Sequence, residues 1–131
     1  MNMEEIMKDW ELNAGASDDE ISQAVDALKI SLSLDYLHFI SEHDGGEGLI
    51  GDNYLILWRV GELSAFNEEY EVSKYAPGLL LFGSNGGGEG YAFDIRDPLL
   101  PVVQVPFIGM ELRYAKPVAD SFSDLLIKLA K

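Results

Sequence analysis

Residues 82–94 read FGSNGGGEGYAFD, and the reading of this stretch decides the fold. Five of the eight residues from Gly83 to Gly90 are glycine, and apolar runs flank them, LLLF at 79–82 and YAFDI at 91–95. Glycine reaches positive φ without steric cost and lets backbones approach closely. Two short apolar and aromatic runs bounded by such a cluster predict paired strands joined by a tight, irregular turn. A turn of this kind either cradles a ligand or shapes a sheet. The surrounding sequence has to decide which.

Working outward, YLILW at 54–58 is too continuous and too short for a lone helix and predicts a buried strand. Leu63, Phe66 and Tyr70 then mark one face of a helix over about 61–70. On the other side, 101–107 is strand-like, with Pro98, Pro101 and Pro106 confining their neighbours to ends or edges. Near the start, EEIMKDWEL (4–12) carries Ile6 and Trp10 at i and i+4, which predicts a short helix. Ser17-Asp-Asp-Glu20 is a capping box, and Ile21, Ala24, Val25 and Leu28 extend it into a helix over about 18–29. Tyr36, Leu37, Phe39 and Ile40 mark another helix, capped by Ser33 and stopped by Gly45-Gly46. Ser121-Phe-Ser-Asp124 opens a last helix, with Phe122, Leu125, Leu126 and Leu129 along one face. Terminal helices with short strands grouped between them imply an α+β fold, helices packed around a twisted, mostly antiparallel sheet. No repeat or linker divides the chain, so one domain is expected over 1–131.

Composition narrows the function classes. The 131 residues are 47% hydrophobic, with six Phe, six Tyr and two Trp, which suits a packed core rather than a disordered acidic chain. With no cysteine there is no disulfide framework, thiolate metal site or Cys nucleophile. MNMEEIMKDW lacks the basic and apolar segments of a signal peptide, and no apolar run approaches a membrane span, so a cytoplasmic protein is expected. The net charge is −14, and it is uneven: residues 1–97 hold 20 acids and 5 bases, residues 98–131 only 3 acids and 4 bases. Such a chain repels nucleic-acid phosphates and anionic lipid. A partner that uses this charge is cationic. Acidity also serves plain solubility.

The chemical motifs fail one by one. Gly46-Glu-Gly48-Leu-Ile-Gly51 matches G-x-G-x-x-G, but the dinucleotide fingerprint needs a strand before it and a helix after it, the reverse of the order here. The glycine cluster has no Lys followed by Ser or Thr and adds Glu89, so it is not a phosphate loop. Ser84 lacks the glycine two residues earlier that a nucleophile elbow requires. His38 and His43 lie at i and i+5, about 140° apart on a helix, which does not suit a shared metal; His43 is expected in the last helical turn. Asp52 with Asn53, or Asp94 with Asp97, could offer oxygens to Ca²⁺, without the EF-hand spacing. Asp94 is read as an acceptor for loop amides, Trp10 as core, and Trp58 as core or an exposed anchor. No catalytic constellation, metal site or cofactor is expected.

Several segments together resemble the SUKH superfamily, named partly after a yeast cell-wall assembly regulator and abundant in bacterial genomes. They are DYLHFISEHDGGEGLIG (35–51), NYLILWRVGEL (53–63), YAPGLLLFGSNGGGEGYAFD (75–94), PVVQVPFIGM (101–110) and SFSDLL (121–126), in the family's order. FGS before the glycine turn and a YAFD-like strand after it form the most specific element. Gly45, Gly46, Gly83, Gly86, Gly87, Gly88 and Asp94 match the family motif in an architectural role. Ser33 replaces the usual proline and Asp44 the frequent Asn, both substitutions that caps and turns accept.

The resemblance implies an α+β, non-enzymatic protein. Many bacterial members are similar to immunity proteins that block a polymorphic or contact-dependent toxin, often a nuclease, by direct binding. The charge argument agrees independently, since nuclease domains are commonly basic and complementary potential favours association. Candidate contact residues are the loop acids Asp44, Glu47, Asp52, Glu89 and Asp97. Two other readings stay open: a regulatory protein-interaction adapter, and a small-molecule binder or hydrolase using a pocket beside the glycine turn. The oligomeric state is not legible.

Overall fold

Seven strands form one sheet whose spatial order is the order of the sequence, in a computed structural model that describes residues 3–131. The strands are β1 (Glu11–Leu12), β2 (Gly46–Ile50), β3 (Asn53–Leu57), β4 (Leu79–Ser84), β5 (Glu89–Asp94), β6 (Val102–Pro106) and β7 (Lys116–Ala119). Every neighbouring pair is antiparallel. The helices are α1 (Met3–Ile6), α2 (Asp18–Leu28), α3 (Leu34–Glu42), α4 (Leu63–Glu69), α5 (Val72–Tyr75) and α6 (Phe122–Ala130), with 3-10 turns at Val60–Glu62 and Leu112–Tyr114. The fold is α+β, as the grouping of strands between helices implies. Of the domain expected over 1–131, residues 1 and 2 lie outside the described residues.

Strand alternation sends side chains to two separate cores. On one face Leu80, Phe82, Tyr91 and Phe93 meet Ala24 of α2, Tyr36, Phe39 and Ile40 of α3, and Phe122, Leu125 and Leu126 of α6. The rings of Tyr36, Phe82, Phe93 and Phe122 form its centre, with Tyr36 edge-on to Phe122 at 5.1 Å and Phe82 stacked on Phe93 at 4.4 Å. On the other face Leu79, Leu81, Ala92, Val103 and Val105 meet Val72, Ala76 and Met110. Coverage of both faces explains why LLLF is an unbroken apolar run. An alternating strand would leave one face to water.

Local signals set the helix starts. Ser17 Oγ accepts from the Glu20 amide at 3.2 Å while Glu20 accepts from the Ser17 amide at 3.0 Å, closing the capping box. Ser121 Oγ likewise accepts from the Asp124 amide at 3.0 Å. Ser33 is the N-cap residue of α3, but its side chain makes no capping bond.

Three expectations need correction. The helix read over 4–12 is a single turn, because the chain swings into β1 and the Trp10 indole donates to the Leu49 carbonyl at 2.9 Å. Glu47, expected in a loop, lies in strand β2; Gly48 beside it is needed because a Cβ there would stand 2.7 Å from the Trp10 ring. His43 is the extended C-cap residue of α3, outside the last helical turn.

One side chain completes the sheet. β3 pairs with β4 only through Ile56–Ser84 and Leu57–Gly83, so the β3 side of Leu81 has no strand beside it. Asn67 of α4 fills that place: its amide nitrogen donates to Leu81 O at 2.9 Å and its oxygen accepts from Leu81 N at 2.8 Å. The same nitrogen also donates to Leu63 O at 2.8 Å. A side-chain amide here stands in for a strand backbone.

Candidate functional site around the glycine turn

The turn between β4 and β5 bonds most of its own amides. Gly86 N donates to Ser84 Oγ at 3.0 Å, and Gly87 N and Glu89 N both donate to Asn85 Oδ1, at 2.8 and 3.1 Å. Donors already bonded within the turn are not aimed at an anion, which removes the physical basis of a phosphate cradle. Gly86 (φ +74) and Gly88 (φ +96) occupy the left-handed region that makes the turn tight. Gly83 serves a different need, close approach, since a Cβ there would stand 2.3 Å from the Ile56 carbonyl oxygen.

The five candidate acids do not form one patch. Asp44 is not an exposed loop acid. It is 5% exposed, its Oδ1 accepts from the Val60 amide at 2.8 Å, and burial raises its carboxyl above the ordinary range. Glu47 is exposed and accepts from the Tyr54 hydroxyl at 2.6 Å, a bond that raises the tyrosine's own titration. Glu47 pairs with Ile56, Ile56 with Ser84, and Ser84 with Gly90, so Glu47 and Glu89 share the glycine-turn end of the sheet. Asp52, exposed in the β2–β3 turn, points from the same end. Glu89 accepts from Gln104 at 3.3 Å.

Asp94 and Asp97 lie at the other end, since β5 spans about 17 Å from Glu89 to Asp94 at about 3.4 Å per residue. Asp94 accepts the Arg96 amide at 3.1 Å, as a loop-amide acceptor should, and also takes the Arg96 guanidinium with both oxygens at 2.9 Å. That pair holds its carboxyl below the ordinary range. Asp97 accepts from the Leu99 amide at 2.9 Å.

Beside the turn stands an aromatic cluster that periodicity does not reveal. Phe107 N donates to Gly88 O at 3.0 Å, which brings the Phe107 ring to the turn's flank. Phe107 stacks on Tyr70 with centroids 4.6 Å apart, and Trp58 stacks on Phe66 at 4.4 Å. All four rings are half-buried. Trp58 is therefore neither pure core nor free anchor. Tyr70, Tyr75, Phe107, Gly109, Met110 and Glu111 line a groove of about 500 Å³ along this cluster. The four rings come from the residue after β3, from α4 and its C-cap, and from the segment after β6, so only tertiary structure assembles them.

The sheet order, the glycine turn and the flanking helices can now be compared with known proteins. The model of the SMI1/KNR4 family (SUKH-1) matches residues 15–128. The chain belongs to this family. The SUKH family includes toxin-immunity proteins and is generally non-catalytic. No curated relative matches the chain. Within this SUKH chain the match runs from Gly15, just before the capping box of α2, almost to the end of α6, so it takes in the glycine turn, the groove and most of both cores, leaving out Ile6, Met7 and Trp10. No helix among the described residues is long and apolar enough to cross a membrane.

Proposed function

We propose that this SUKH protein is an immunity protein that binds a cognate polymorphic or contact-dependent toxin and neutralises it by occluding its active site. The partner is a basic protein, most simply a nuclease, and carboxylates stand in for the phosphates of its substrate. The observation that carries this reading is the −14 charge on a SUKH chain. An acidic inhibitor gains on-rate and specificity against a basic partner through complementary potential. In this reading the protein acts as one domain in the cytoplasm, converts no substrate and needs no cofactor.

The docking surface in this proposal is the glycine-turn end of the sheet, with Glu47, Asp52 and Glu89. Co-expression with the product of the neighbouring gene tests the function: cells should survive only when this protein is present. Reversing Glu47, Asp52 and Glu89 to Lys should weaken binding tenfold or more. Asp97→Lys, at the far end of β5, should leave affinity nearly unchanged. Equal affinities for the triple variant and the parent would remove this end of the sheet from the interface.

A further inference from the structure

The groove beside the glycine turn has a specific chemistry. Its walls are three aromatic rings, Tyr70, Tyr75 and Phe107; its lining includes the thioether of Met110 and the carboxylate of Glu111. Tyr70 and Phe107 stack face to face, 19° from parallel with centroids 4.6 Å apart, so one face of each ring is taken up by the other. Tyr75 is 46% exposed, whereas Met110 is buried. Aromatic faces carry negative electrostatic potential and attract cations placed over them. An anion would meet both the Glu111 carboxylate and a strongly acidic chain. The groove favours a cation with an apolar or planar body.

Two internal contacts show the same chemistry on this part of the surface. The Lys74 ammonium lies over the Tyr75 ring at 5.1 Å, and the Arg113 guanidinium over the Tyr114 ring at 4.9 Å. Both cations are also paired with acids, Lys74 with Glu71 at 3.7 Å and Arg113 with Glu111 at 3.1 Å. Both Arg113 hydrogen bonds fall on Glu111 Oε2. Near the groove, Ile108 is 94% exposed, held out by a turn at Gly109 with φ +70.

We infer that this groove receives an arginine side chain of a basic protein partner, with the guanidinium packed against the Tyr75 ring and the Tyr70–Phe107 stack and balanced by Glu111. Arginine fits better than lysine because its guanidinium is planar, stacks on aromatic faces and is more weakly hydrated than an ammonium. The groove extends the docking surface from Glu89 across Phe107, whose amide is bonded to the turn. The inference rests on the immunity reading for the partner's identity and stands apart from it for the groove's chemistry.

The test has two arms. In the first, the ¹⁵N-labelled full chain is titrated with acetyl-Gly-Arg-Gly-amide and with its lysine and citrulline counterparts. Amide shifts should centre on residues 70–75 and 107–111, with affinity falling from arginine to lysine to citrulline. Tyr75→Ala and Glu111→Gln should each weaken the arginine peptide by about threefold to fivefold, the range of one exposed cation–π contact or charge pair. Lys74→Ala, which removes the resident cation, should tighten it by about twofold. Unchanged melting temperatures keep these variants interpretable. Shifts confined to other acidic surfaces, such as the first turn of α2, or citrulline binding as well as arginine, overturn the inference.

In the second arm the neighbouring gene's product replaces the peptide. Tyr75→Ala with Glu111→Gln should lose at least tenfold in affinity for it. Full protection by the double variant overturns the groove as a docking site. If the parent protein itself fails to protect, the immunity reading falls while the peptide titration still decides the groove.

Discussion

Gly83→Ala should break the sheet at the two-pair seam between β3 and β4. The new Cβ would stand 2.3 Å from the Ile56 carbonyl oxygen and 3.3 Å from its carbon, whereas ordinary contact begins at 3.4 Å. The obstruction is backbone, so no rotamer change relieves it. β3 must retreat from β4 by about 1 Å, enough to forfeit a quarter to a half of the dispersion contact along that line. The seam there consists of Ile56–Ser84, Leu57–Gly83 and the Trp58 amide donating to Phe82 O at 3.1 Å. Losing two of these hydrogen bonds costs about 2 kcal/mol, at about 1 kcal/mol each. Lost packing against buried Leu57 and Phe82 adds about 1–2 kcal/mol. The total of about 3–4 kcal/mol is a large share of the roughly 5–15 kcal/mol that stabilises a typical domain. Urea unfolding followed by circular dichroism measures it as a fall in the midpoint at constant slope. Gly87→Ala is the control: its Cβ would meet only the Asn85 side chain, no nearer than 3.5 Å, and the change should stay within about 0.5 kcal/mol. A loss below about 1 kcal/mol for Gly83→Ala would refute the account of the seam, since one hydrogen bond alone costs that much.

Two other substitutions probe single contacts. Asn67→Ala leaves the Leu81 amide and carbonyl without their side-chain partners and should cost about 2–6 kcal/mol in the same urea assay, at about 1–3 kcal/mol for each of the two unsatisfied groups. Asp44→Asn keeps an acceptor for the Val60 amide and removes the charge, so it should separate hydrogen bonding from burial of the carboxylate. Because burial raises the Asp44 carboxyl, the folded state holds that proton more tightly than the unfolded chain does. Its stabilising contribution is fully present below the unfolded carboxylate range and is lost as pH rises through the raised value. The stability of the parent relative to Asp44→Asn should therefore decline from acid toward neutral pH; a difference that does not change with pH would contradict this placement.

What the sequence made legible follows the range of the forces involved. The α2 cap could be read because Ser17 and Glu20 satisfy each other within one turn. The β4–β5 hairpin could be read because its glycines and apolar flanks are contiguous. β2 could not, since GEGLI has little strand propensity and becomes a strand because Gly48 lies under Trp10, which is drawn there by the Leu49 carbonyl. The same long-range bond diverts the chain from the helix that Ile6 and Trp10 suggest. Asp44 reads as a loop acid because its neighbours are glycine and histidine; its burial depends on Val60, sixteen residues away. The groove draws residues from the C-cap of α4, from α5 and from the segment after β6, and no local pattern announces it.

The sheet order carries a kinetic consequence. Each strand pairs with its neighbour in sequence, and β4 through β7 occupy the continuous stretch 79–119 with only short connections. Closing short loops costs little chain entropy, and local pairing speeds folding. The C-terminal meander can therefore assemble hairpin by hairpin before the more distant β1–β2 and β3–β4 contacts close. For a protein whose proposed task is to intercept a toxin in its own cell, protection begins when folding ends. A meander keeps that interval after synthesis short.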